Sequence, residues 1–100
     1  MKTFKDSLKT AVFTSRFVIK DKKDITFISH DNEDGAWQFL SNDNFDNYEE
    51  IAMIVSLDEI LQIDKTILDI ADLPLGYIAT RQTLSDNWII KKITPANNGS

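Results

Sequence analysis

The sequence predicts an α+β fold in a single domain spanning residues 1–100: a mainly antiparallel sheet of five or six short strands with one or two helices, at about residues 57–71, packed on one face. Three observations lead there. Short runs rich in aromatic and β-branched residues fill residues 11–55 and return after residue 76, broken by polar clusters. The only sustained three-to-four apolar spacing lies between them, at Leu57, Ile60, Leu61, Ile67 and Leu68. Strands therefore precede and follow the helical part without the strand–helix alternation of a parallel sheet. The chain's 100 residues, 42% of them apolar and ten aromatic, are enough for one core without staples.

Taken in order, Phe4 and Leu8 fall four apart among lysines, so residues 1–10 read as a leader or a short amphipathic helix. Residues 11–20 (Ala-Val-Phe-Thr-Ser-Arg-Phe-Val-Ile-Lys) read as a strand, or two broken near Ser15 and Arg16. After the polar turn at residues 21–24, Ile25 to His30 resumes the β pattern, and residues 12–20 with 25–30 make an antiparallel hairpin. The turn lacks glycine, so its type stays open. Asp31-Asn32-Glu33-Asp34-Gly35 is the next break, and Ala36 to Leu40 the next strand, with Trp37 and Phe39 on one face by period two. Asn42 to Glu50 reads as an acidic loop and Ile51 to Val55 as a buried strand.

Ser56-Leu57-Asp58-Glu59 has the form of a capping box, which opens a helix at Ser56. Asp64 is a second cap candidate, dividing the helical part and starting a short helix over Lys65 to Ala71. Pro74 and Gly76 end it, since proline disfavours helix at Leu73 and donates no backbone bond. Tyr77 to Arg81 and Asn87 to Ile93 read as the last strands, and residues 94–100 as a flexible tail.

Charge narrows the function classes. Net charge is −5, yet residues 1–23 carry seven basic residues against two acidic ones. Residues 24–64 carry eleven carboxylates and no Lys or Arg. Such a surface repels phosphates and anionic lipid and attracts a basic protein. No segment approaches the roughly 18 apolar residues of a membrane span, and the start lacks a signal-peptide core, so a cytoplasmic protein is expected. The absence of cysteine excludes disulfides, thiolate metal sites and thiol nucleophiles.

Candidate chemistry is sparse. His30, the only histidine, could serve a metal-dependent hydrolase with Asp31, Glu33 and Asp34, although a lone strand-end histidine is more often a plain polar residue. The 31–35 segment fails the calcium-loop register because Gly35 stands fifth rather than sixth, and Asn47 replaces the glycine in the 42–47 segment. Carboxylate pairs such as Glu49/Glu50 and Asp43/Asp46 lack a nucleophile to serve. No phosphate-cradling or zinc-protease motif occurs. No cofactor or metal is expected. Trp37, alternating with Phe39, reads as a core anchor, whereas Trp88 divides evenly between core and exposed docking ring.

Three segments resemble a known family. Residues 34–43 (Asp-Gly-Ala-Trp-Gln-Phe-Leu-Ser-Asn-Asp) are similar to its Asp-Ser-Gly-Trp-Arg-Phe block, residues 55–64 to its helix-opening stretch ending in aspartate, and Leu73-Pro74-Leu75-Gly76 with Arg81 to its Ser-Pro-Val-Gly and downstream arginine. The chain thus resembles the immunity-protein domain of bacterial polymorphic toxin systems, the thirty-third of that series, over roughly residues 11–93. Ala36, Gln38 and Asn42 stand where the family has glycine, arginine and glycine, which marks a divergent member. The resemblance implies a protein that neutralises a cognate toxin by binding it, and no catalytic residues. With the charge pattern, it puts the partner-binding surface on Asp31, Glu33, Asp34, Asp43, Asp46, Glu49 and Glu50, facing a basic toxin domain, and makes Gly35, Trp37, Phe39, Pro74 and Gly76 the supporting scaffold. A monomer or weak homodimer is expected. Two other readings stay open: a module that self-associates through Trp88 or regulates a partner, and the hydrolase around His30.

Overall fold

Polar clusters at residues 21–24, 31–35 and 41–47 cut the apolar runs into strands of four or five residues, and a lone pair of such strands is marginal, so they need a wider sheet with an apolar face. In the computed structural model, which describes residues 2–93, the chain solves this with one six-stranded sheet. The strands are β1 (Ala11–Ser15), β2 (Phe27–His30), β3 (Trp37–Leu40), β4 (Ala52–Ser56), β5 (Tyr77–Thr80) and β6 (Ile89–Lys92), in spatial order β4-β1-β3-β2-β5-β6. Only the β1–β3 pair is parallel, with Phe13 opposite Gln38. The α+β class with a mainly antiparallel sheet holds.

The hairpin expected between residues 12–20 and 25–30 does not form. Ser15 turns the chain out of the sheet: its hydroxyl accepts from the Val18 N–H, and Arg16–Ile19 becomes a one-turn helix, α1. Lys22 then takes a left-handed conformation (φ 59°), where glycine would be the usual choice. With its continuation gone, β1 pairs with β3 on one side and antiparallel with β4 on the other, while β2 lies between β3 and β5. The acidic segment 42–50 is also not all loop: Asn47 accepts from the Glu49 N–H and caps a second short helix, α2 (Tyr48–Ile51), leading straight into β4.

The helical part forms as its caps require. The Ser56 hydroxyl accepts from Glu59 N–H (3.1 Å) and starts α3 (Leu57–Ile63). Asp64 breaks the helix and its carboxylate accepts from Thr66 N–H (2.9 Å), starting a 3₁₀ helix over Lys65–Ile70. Leu57 and Ile60 from the first, and Ile67 and Ile70 from the second, share the core with Val12, Ile28, Trp37, Phe39 and Ala79 of the sheet. Fully burying each of the Val, Leu, Ile and Phe side chains among these contributes about 1.5–3 kcal/mol. Thr14, the one polar side chain on that face of β1, donates to the Phe39 carbonyl (2.7 Å) and so is buried without loss.

Most residues on the other face of the sheet are half-buried or exposed. Pleat and register place Ile54, Phe13, Gln38, Ser29, Ile78 and Lys91 in one row across it. Residues 2–10 form bends and a turn rather than a helix, with the Phe4 ring packed edge-on against Trp37 (centroids 5.1 Å apart). The flexible tail expected at 94–100 lies outside the described residues. Among those described, no helix is long and apolar enough to cross a membrane.

Candidate functional site

The acidic turn before β3 is built by its own side chains. The Asp31 carboxylate accepts from Glu33 N–H (2.8 Å) and the Asp34 carboxylate from Ala36 N–H (2.9 Å), each an Asx turn. Gly35 sits at φ +73°, with open space where a Cβ would stand. The turn then enters β3, whose Trp37 and Phe39 point into the core.

Gln38, between them, points to the open face. The Ser29 hydroxyl donates to its carbonyl oxygen (3.3 Å), and its amide donates to the Tyr48 hydroxyl (2.8 Å). Tyr48 belongs to α2, at the end of the second acidic loop, so this bond draws that loop back across the sheet. Together with Phe13, Ala36, Asp31 and Asp34, these side chains line a hollow of about 180 Å³. On the other side of the 31–34 turn lies a wider hollow of about 770 Å³, whose wall includes Asp31, Glu33, Gly76 and Lys92. The first acidic turn is therefore a ridge between two concavities.

The remaining candidate carboxylates lie elsewhere. Asp43 is half-buried, accepts from the Ser41 hydroxyl (2.7 Å) and stands 3.9 Å from the Lys23 ammonium. Asp46, Glu49 and Glu50 are exposed around α2. The structure brings Asp31 and Asp34 into one hollow with Tyr48, places Glu33 on the other, and leaves the 43–50 carboxylates outside both linings.

His30 is held at both its ring face and one ring nitrogen. It stacks on Trp37 (centroids 3.9 Å, planes 13° apart), and its Nδ1 lies 2.7 Å from the Leu73 carbonyl; a carbonyl only accepts, so Nδ1 carries the proton. Trp37 in turn donates from its indole nitrogen to Asp6 (2.6 Å). Among the described residues, no group of three or more His, Asp or Glu side chains is placed to hold a metal ion. Pro74 accepts from Tyr77 N–H (3.2 Å) in the turn before β5. Gly76, at φ +82°, donates to the His30 carbonyl and accepts from Ile93 N–H, both at 2.7 Å, which ties the ends of β2 and β6 to one backbone unit.

One cluster escaped the sequence reading. Arg81 is 6% exposed; it donates to Asp64 (2.7 Å), to the Ile25 carbonyl (3.0 Å) and to the Thr66 hydroxyl (2.9 Å). Its guanidinium lies over the Trp88 ring, 4.0 Å from the centroid. Trp88 is consequently half-buried beneath an arginine rather than an exposed docking ring. The signal was available in part, since the resemblance singled out Asp64 and Arg81 separately and the structure joins them. This pair riveting the 3₁₀ helix to β5 is structural and faces away from solvent.

The family model described as the Immunity protein Imm33 domain matches residues 12–92. The chain belongs to the Imm33 immunity-protein family. No curated protein and no solved structure matches it. The matched span of the Imm33 domain runs from β1 to the end of β6 and contains both acidic loops, the Gln38–Tyr48 bond and the Asp64–Arg81 pair. The Phe4 and Asp6 contacts to Trp37 come from outside it. Membership implies a toxin protein as the partner.

Proposed function

We propose that this Imm33 domain neutralises its toxin by covering a basic surface with the acidic loops 31–35 and 42–50 and the open sheet face between them. The observation that carries the reading is the state of the carboxylates. Asp31, Glu33, Asp34, Asp46, Glu49 and Glu50 are all exposed, and among the described residues none is in an ion pair. No Lys or Arg within residues 24–64 offsets them. The hollow beside Asp31 and Asp34, with Phe13 and Tyr48 as apolar walls, suits the stem and charged head of a lysine or arginine. A toxin that handles nucleic acid carries such a surface at its phosphate-binding site. Blocking it needs no catalysis and no cofactor, only fast binding in the cytoplasm, which a one-sign field supplies.

Co-expression with candidate toxins, scored by growth rescue, identifies the partner. Stopped-flow mixing over a salt series then tests the surface: replacing Asp43, Asp46, Glu49 and Glu50 by Lys should slow association by about 10- to 1,000-fold at low salt and flatten its salt dependence. An unchanged rate in a folded variant overturns the reading.

A further inference from the structure

Strands β4 and β6 are the two edges of the sheet, and they are defended unequally. Antiparallel ladders alternate bonded and non-bonded pairs, so one known bond fixes the phase of the rest. On β6, the Ile93 N–H bond to Gly76 turns the backbone of Ile90 and Lys92 outward, where Lys91 and Lys92 guard the edge against another strand.

On β4, the Leu57 N–H bond to the Thr10 carbonyl (2.9 Å) makes Val55/Val12 and Met53/Thr14 the bonded pairs. The N–H and C=O of Ile54, the C=O of Ala52 and the N–H of Ser56 then face away from β1. Ala52 N–H, on the same side, is already bonded to Tyr48. Ile54 is 65% exposed, and Ala52–Ser56 contains no charge, proline or glycine to discourage pairing. Charge appears only at the strand's two ends, with Glu49 and Glu50 before it and Asp58 and Glu59 after it.

We infer that the outer edge of β4 receives an extended strand of the toxin, uncharged in its middle and flanked by Lys or Arg at both ends. The inference rests on the cationic partner proposed above, and it selects the toxin over a second copy of this chain. In a two-fold β4–β4 pairing centred on Ile54, Glu50 falls at the same distance from the centre as Asp58 of the other copy, and Glu49 as its Glu59. Both ends would then bring carboxylates together, whereas a strand flanked by basic residues meets opposite charge at each. Added here, that strand would lie beside Ile54 and Phe13 and extend the open face toward the partner.

The probe is a capped peptide, Lys-Lys-Val-Thr-Val-Thr-Val-Lys-Lys, with a Glu-flanked counterpart, titrated into the ¹⁵N-labelled full chain. The Lys-flanked peptide should shift the amides of residues 52–56 and slow hydrogen exchange at Ile54, and the Glu-flanked one should bind more weakly. Ile54→Pro removes the outward N–H without touching the ladder to β1 and should weaken binding about tenfold. Ile54→Lys, at an exposed side chain, should do the same by repulsion if the proline variant does not fold. Shifts confined to residues 31–34 and Tyr48, untouched by Ile54→Lys, overturn the edge and leave the acidic surface standing. Equal binding of both peptides at β4 overturns the basic flanks and counts against the acidic surface. Absence of any shift at β4 at millimolar peptide, or a wild-type dimer in sedimentation that Ile54→Lys abolishes, overturns the inference outright.

Discussion

Asp64 and Asp46 lie in the same cation-free stretch of sequence, yet the molecule uses them in opposite ways. The Asp64 side chain is 8% exposed, locked to a buried Arg81 that also binds Ile25, Thr66 and the face of Trp88. Asp46 is exposed with no ion-pair partner among the described residues. A buried charge must be fully partnered because its lost hydration is not otherwise repaid, while an exposed charge costs little and stays available to a partner. The span matched by the family model thus contains two kinds of acid, and the second kind is left open to a partner.

The comparison is broken most easily at the buried pair. Asp64→Ala strands the Arg81 cation in the interior and should destabilise the fold by about 3–5 kcal/mol in urea unfolding. Asp46→Ala in the same assay should change stability by no more than about 0.5 kcal/mol. Similar losses from the two would erase the distinction. Trp37→Ala should cost about 3–5 kcal/mol, because it empties the centre of the stack formed by His30, Phe4 and Phe39. Its removal should also release the 31–35 ridge, visible as faster amide exchange there.

Smaller effects sharpen the same contrast at the turns. Gly76→Ala forces a side chain into the left-handed region and should cost about 1–2 kcal/mol by thermal unfolding. Its Cβ would stand at an ordinary 3.5 Å from Asn32, so the loss is backbone strain rather than a clash. Lys22→Gly works in reverse. Relief of the left-handed strain at φ 59°, offset by glycine's greater unfolded freedom, should leave a gain of a few tenths of a kcal/mol. A loss of stability there would mean that the lysine side chain, which donates to the Ile19 carbonyl (3.1 Å), matters more than its backbone.

Local signals in the sequence located much of the fold. The Trp37/Phe39 alternation, the Ser56 cap, the break at Asp64 and the stop at Pro74 each depend on neighbours within a few residues, and each marks a real boundary. Strand partners do not have that property. Phe17, Val18 and Ile19 are strand formers by composition, but the Ser15 cap and the burial of Val18 turn them into α1. Once they leave, β1 takes Gln38 and Ile54 as neighbours, a choice no local pattern records. The Asp64–Arg81 pair was hidden for a related reason, since charged side chains are read as surface unless a partner is known. At the candidate site, the acidic residues were legible but the Gln38–Tyr48 bond that gathers two loops onto one face was not.

The place of β1 has a temporal consequence. It lies between β3 and β4, so both of its neighbours are made after it, and its β4 partners extend to Ser56. A chain emerging from the ribosome holds Val12 and Phe13 without their β4 partners until Ser56 has been made, and such non-local pairing is slow to form and open to aggregation meanwhile. A fragment ending before β4 should therefore give no protection against the toxin. The six-stranded sheet is complete only once β6 exists, which favours making this Imm33 domain ahead of any toxin it binds.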